Sequence, residues 1–189
     1  MKDEYEATLR CDLFDTVFFD YEGWFYHGKL VLSKIIKVKV VAVYRGWMMN
    51  PEKYRRFYNT LLNWNIELIT SPEEYAAMLT GGICVKEYLN LRRYGDDDTN
   101  EFRVFYINHK VASMSRNSWQ TTMTKEPPRE LIDKYRNRPS VYYSVDFAEL
   151  EDGRWVITKV GDGSVSGLSE SQDYKEYFRK VYECFNEEG

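Results

Sequence analysis

Residues 35–44, IIKVKVVAVY, carry the clearest alternation of apolar and basic positions in the chain, as on a strand with one covered face. The period then changes. In NPEKYRRFYNTLLNWN, residues 50–65, Tyr54, Phe57, Tyr58, Leu61 and Leu62 fall on one helical face, with Asn50 as a cap and Pro51 at the first helical position. IELIT returns to a short strand, and SPEEYAAML opens a second helix with Ser71 and Glu74 spaced as a capping box. The order strand, helix, strand, helix predicts a small α/β layer. The segment before residue 35 mixes aromatic and polar positions without a single period.

After Gly81-Gly82 a period of two dominates. ICVKEYLNL, EFRVFYI and KVASMSR read as strands, the last two joined by the turn Asn108-His109. PPRELIDKYRNR reads as a helix opened by proline. VYYSVDFAEL and RWVITKV form a second hairpin about Asp152-Gly153. SQDYKEYFRKVYECF is a final helix with Tyr174, Tyr177, Phe178, Val181, Tyr182 and Phe185 as its core stripe. The expected fold is an N-terminal α/β part over residues 1–80 and an antiparallel α+β half over 81–189, the two tightly packed or forming one unit.

Composition narrows the classes. The 189 residues are 43% hydrophobic, enough to bury a core, and the formal charge of -4 gives no general attraction to nucleic acid. No apolar run approaches the roughly 18 residues of a membrane span. The start Met1-Lys2-Asp3-Glu4 does not resemble a signal peptide, so a cytoplasmic protein with no membrane role is expected. Cys11, Cys84 and Cys184 lack metal-ligand spacing and read as reduced structural thiols; Asp96-Asp97-Asp98 reads as a solvated loop.

The second hairpin holds the chemistry. With Asp152-Gly153 as a two-residue turn, Glu149 faces Val156 and Asp146 faces Lys159, on a face shared with Tyr142, Ser144, Ala148, Trp155 and Ile157. A cross-strand ion pair worth about 0.2–1 kcal/mol explains both charges without further function. The continuation GDGSVSGL, with Gly161, Asp162 and Gly163, offers a second explanation: glycines let backbone approach closely, and free amides can hold an anion.

These residues resemble a family. VAVYRGWMMNPEKYRRFYNTLLNWNIELITSPEEY (41–75) looks like the front of the uncharacterised ATP-grasp-domain proteins of bacteria and their phages. GGICVKEYLNL, NEFRVFYINHKVASMSRNSW and VYYSVDFAELEDGRWVITKVGDGSVSGL look like their closing part. The resemblance implies ATP held between two α+β subdomains, magnesium on acidic residues, and ligation of a carboxylate through an acyl-phosphate. The sequence departs from it twice. The family's small ATP-binding subdomain is expected between SPEEYAAML and GGICVKEY, which here almost touch. Asp146 matches a magnesium-binding aspartate, but Lys159 stands where its partner glutamate is expected. An aspartate already neutralised by lysine is a poor magnesium site.

By resemblance, Arg103, Asp146 and Lys159 are the candidate catalytic residues, with Asp146 the one doubtful metal ligand. Arg45, Lys86, Glu101, Arg116, Asn117, Gly161, Asp162 and Gly163 are candidates for nucleotide or anion binding. The expected protein is a shortened, degenerate ATP-grasp fold: a non-catalytic binding module for an anion, nucleotide, nucleic acid or protein partner, including a second copy. The alternative is a minimal ATP-dependent ligase or nucleotidyl-transfer enzyme that keeps ATP and Mg²⁺.

Overall fold

The structure, a computed structural model, describes residues 2–78, 88–94, 99–117 and 125–186. The helix expected after Asn50 forms as α3 (Pro51–Leu62), and the Asn50 side chain accepts from the Lys53 N–H at 2.8 Å. Its face buries Tyr54, Phe57 and Leu61, while Leu62 turns to solvent. The capping box forms as read: the Ser71 N–H donates to Glu74, and Ser71 accepts from the Glu74 N–H, at the start of α4 (Pro72–Met78). Between them, β1 (Val40–Ala42) and β2 (Ile66–Leu68) pair in parallel, Val41 opposite Glu67.

The strand expected over 35–44 is thus only three residues long. Alternation makes a strand only where a neighbour supplies hydrogen bonds, and β2 reaches no farther. Ile35, Val38 and Val41 remain exposed. The unparsed N-terminal segment holds two helices, α1 (Lys2–Cys11) and α2 (Tyr21–His27). Asp20 caps α2, accepting from the Gly23 N–H at 3.0 Å.

The second sheet is antiparallel in the order β4-β3-β5-β6, formed by β3 (Glu101–Ile107), β4 (Lys110–Arg116), β5 (Tyr142–Glu149) and β6 (Trp155–Asp162). Asn108 and His109 both take positive φ, 46° and 61°, so the first hairpin closes through the two-residue turn expected of it. One sheet face buries Val104, Tyr106, Tyr143, Val145 and Phe147 against Ile132 of α5 (Arg129–Lys134). The other buries Phe105, Ile107 and Tyr142 against Tyr177, Phe178, Val181 and Cys184 of α6 (Tyr174–Asn186), which α1 joins through Ala7. Tyr182, expected in the stripe, is 39% exposed.

The second hairpin departs from expectation near its turn. The Leu150 N–H donates to the Arg154 carbonyl, and the Gly153 N–H donates back to Leu150, so the loop has three residues, with Gly153 at φ 87°. Glu149 therefore faces Trp155 rather than Val156. An extra residue in β6, Thr158, then shifts the register between Phe147–Ile157 and Asp146–Lys159. Trp155 and Ile157 pack with Phe147 on the α5 face, not beside Asp146 as expected. The part of ICVKEYLNL before Tyr88 lies outside the described residues; Leu91 makes an isolated bridge to Leu150.

Candidate functional site

Strand alternation puts Tyr142, Ser144, Asp146 and Ala148 on the α6 side of β5. At the Tyr142 end this face is core. At the other end it is polar, because Arg103 of β3 lies directly opposite Asp146 on one side and Lys159 of β6 on the other. Arg103 meets the carboxylate as a two-pronged fork: Nε donates to Oδ1 and Nη2 to Oδ2, each at 2.7 Å. Asn117 Nδ2 adds a bond to Oδ2 at 3.2 Å, and Arg103 Nη1 donates to the Gly167 carbonyl at 2.8 Å. The side chains of Asp146 and Arg103 are only 4% and 13% exposed.

The cation that neutralises Asp146 is therefore Arg103, not Lys159 as the register alone suggested. A planar fork matches both carboxylate oxygens, which an ammonium cannot do. Lys159 is exposed and has no partner among the described residues. Glu101 shares the face of Arg103 two positions earlier, and its carboxyl is pushed up by burial first and by the Asp146 charge next. Its main-chain carbonyl takes the Asn117 N–H at 2.9 Å. Arg116, half-buried beside Asn117 at the end of β4, pairs with Phe102 in the ladder. Lys86 lies outside the described residues.

Arg45, Asp162 and Gly163 gather elsewhere, in the interior. Arg45 donates from Nε and Nη2 to the two oxygens of Glu4, at 2.8 and 3.0 Å, and from Nη1 to Tyr142 Oη at 3.2 Å and to the Gly163 carbonyl. Tyr142 and Tyr177 share a short hydroxyl contact beside it. Asp162, fully buried, accepts the Ser164 N–H at 2.8 Å and so starts the 3-10 turn Gly163–Val165. Its Oδ2 has no partner among the described residues, and burial pushes its carboxyl up to about 6. The Ser164 N–H of the glycine-rich loop is thus already used internally. Gly161, opposite Ser144 on β6, stays beside Lys159, whose Cε would lie 3.8 Å from a Cβ there.

Gly163 is a packing glycine: a Cβ there would come within 2.5 Å of the Tyr142 ring. Gly163→Ala should lower stability by about 1–3 kcal/mol, read as a lower urea midpoint, because ring and backbone both resist displacement. An unchanged midpoint would mean that the turn can move away from Tyr142. Sequence reasoning missed Glu4, whose signal was the acidic opening Asp3-Glu4 of a helix, and it did not pair Arg103 with Asp146.

A mixed α/β chain with a four-stranded antiparallel sheet and charged residues on one open sheet face is consistent with an ATP-grasp architecture. The family model "ATP-grasp domain, R2K clade family 3" matches residues 31–181, and the chain belongs to that family. No curated protein and no solved structure matches the chain significantly. ATP-grasp domains generally bind ATP and magnesium. Magnesium does not fit the residues described here: both Asp146 oxygens are held by a guanidinium, an ammonium stands across the strand, and no group of three acidic, histidine or cysteine side chains that could hold a metal occurs among the described residues. Among these residues, no helix is long and apolar enough to cross a membrane.

Proposed function

We propose that this protein is a non-catalytic member of its family that binds the phosphates of a nucleotide without a metal ion. The observation that carries this reading is the division of labour around Asp146. Arg103 engages both oxygens of the carboxylate and neutralises it, which leaves Lys159, across on the neighbouring strand, as an ammonium with no partner among the described residues. A carboxylate neutralised by a guanidinium on both oxygens attracts a further cation weakly, whereas an ammonium beside Gly161, with no partner among the described residues, offers three donors to phosphate oxygens. Metal-supported phosphoryl transfer relies on charge stabilisation that this arrangement lacks, so binding without turnover follows.

Calorimetric titration with ATP tests it. Binding is expected to be equally strong with Mg²⁺ and with EDTA, lost in Lys159→Glu, and unaccompanied by ADP or AMP formation. Binding that requires Mg²⁺, or nucleotide turnover by the wild type, would overturn the reading in favour of a minimal ligase. No binding under either condition would refute it as well.

A further inference from the structure

The turn after β6 is folded on a carboxyl that it only half satisfies. Asp162 is fully buried; its Oδ1 accepts the Ser164 N–H at 2.8 Å, while Oδ2 has no partner among the described residues. Such a carboxyl is stable in the interior while it holds its proton, because an ionised oxygen cut off from water and lacking a donor is costly. The groups around it give little relief. Tyr54 of α3, Tyr75 and Glu74 of α4, Tyr142 of β5 and Arg45 after β1 all act on it. The Tyr54 and Tyr75 hydroxyls are donated elsewhere, to the Thr70 and Met49 carbonyls at 2.9 and 3.0 Å, and Tyr142 shares its hydroxyl contact with Tyr177 of α6. The Arg45 guanidinium is forked to Glu4 of α1. Burial pushes the Asp162 carboxyl up to about 6; Glu74 adds to the shift, and the Ser164 bonds and Arg45 oppose it.

The segment that follows, residues 163–167, is held mainly by polar links. The Gly46 N–H donates to the Ser164 carbonyl at 3.2 Å, Arg45 Nη1 to the Gly163 carbonyl, and Arg103 Nη1 to the Gly167 carbonyl at 2.8 Å. The Ser166 hydroxyl donates to the Asp162 carbonyl at 2.8 Å and meets the Ser144 hydroxyl at 2.7 Å. Val165, half-buried, is the one apolar side chain larger than a hydrogen in this stretch. Water replaces polar links on opening, whereas the strands behind are held by buried apolar area, so this segment opens at lower cost than they do.

We infer that residues 163–167 form a pH-sensitive latch, closed while Asp162 holds its proton and opening transiently, ahead of the rest of the fold, once Asp162 ionises. Opening lets water reach Oδ2 and withdraws the Gly167 carbonyl from Arg103, so proton release at one end of the turn is felt at the polar sheet face at the other. The closed turn binds the proton more tightly than the open one, in which the carboxyl returns toward 3.8. Opening therefore grows as pH rises above about 3.8 and levels off above about 6. The latch does not depend on the reading given to Lys159.

Amide hydrogen exchange of the full chain tests it, with each rate divided by the intrinsic rate at that pH. The closed turn protects the Ser164 and Gly46 amides. They should exchange roughly tenfold faster at pH 8 than at pH 5, and at rates that low urea leaves nearly unchanged, the mark of an opening that exposes little surface. The Val145 amide in the middle of β5 should exchange only with the whole fold, far more slowly and with a steep dependence on urea. Asp162→Asn should abolish the pH gain at Ser164 and Gly46, while Lys159→Glu should keep it. No pH gain in the wild type, a gain that persists in Asp162→Asn, or Ser164 and Gly46 rates that follow Val145 in urea would each overturn the latch. The last would mean that the turn opens only when the whole protein unfolds. The wild-type arms decide the matter by themselves should Asp162→Asn fail to fold.

Discussion

Arg103→Ala is expected to lower the unfolding free energy by about 3–5 kcal/mol, the cost of leaving a buried carboxylate without its counter-charge. The reason is the burial of Asp146, which among the described residues retains only Asn117 as a side-chain donor once the guanidinium is gone. Lys159→Ala, across the other strand, should change stability by less than about 1 kcal/mol, because an exposed ammonium without a partner among the described residues has little to lose. The contrast between the two sides of one aspartate is the test. Urea unfolding of Arg103→Ala, Asp146→Ala and the double variant should show strong coupling, with the double variant costing much less than the sum. Near-zero coupling would mean that the pair is wet and that Asp146 is open to other cations.

Asp162→Asn is expected to stabilise the protein at alkaline pH and to do little at acid pH. In the folded chain the Asp162 carboxyl holds its proton up to about pH 6, against 3.8 ordinarily, chiefly because it is buried; the Ser164 bonds and the Arg45 charge oppose that shift and Glu74 adds to it. The unfolded chain releases this proton first. The contribution of Asp162 to stability is therefore complete below about pH 3.8 and is lost as pH rises through about 6. Above pH 7 the ionised form should cost the fold about 3 kcal/mol relative to an uncharged side chain. Asparagine keeps an acceptor for the Ser164 N–H and removes the charge. Urea midpoints of wild type and variant at pH 5 and pH 8 should diverge as pH rises; a constant gap would mean that the carboxyl is solvated.

Local signals in the sequence proved reliable where the structure is itself local. The caps at Asn50 and Ser71 form through side chains three residues from their targets, and the Asn108-His109 turn needs only two positive φ angles. The facing of Asp146 and Lys159 also came out as read, but for a different reason. A three-residue turn moved the register by one, and the bulge at Thr158 moved it back, so that only the pairs between them, with Trp155 and Ile157, landed on the opposite face. No local pattern announces a bulge that far from its turn. The Arg103–Asp146 fork was hidden because it depends on β3 pairing with β5, 43 residues away, rather than with its hairpin partner alone. The helix α2 was hidden because its aromatic residues favour strands by propensity, and packing of Trp24 against α3 decides otherwise.

The guanidinium of Arg45 ties together residues 4, 142 and 163, drawn from the first helix, the middle strand and the turn that follows the last strand. Glu4 lies well before residue 31, where the family match begins. A chain trimmed to that match would keep the arginine and discard the carboxylate that holds it, and it would strip α1 from the face of α6. The stretch that matches the family model is thus shorter than the stretch that these contacts join. Transplanting or expressing the recognisable part alone would deliver a sheet whose inner knot has lost one of its ends.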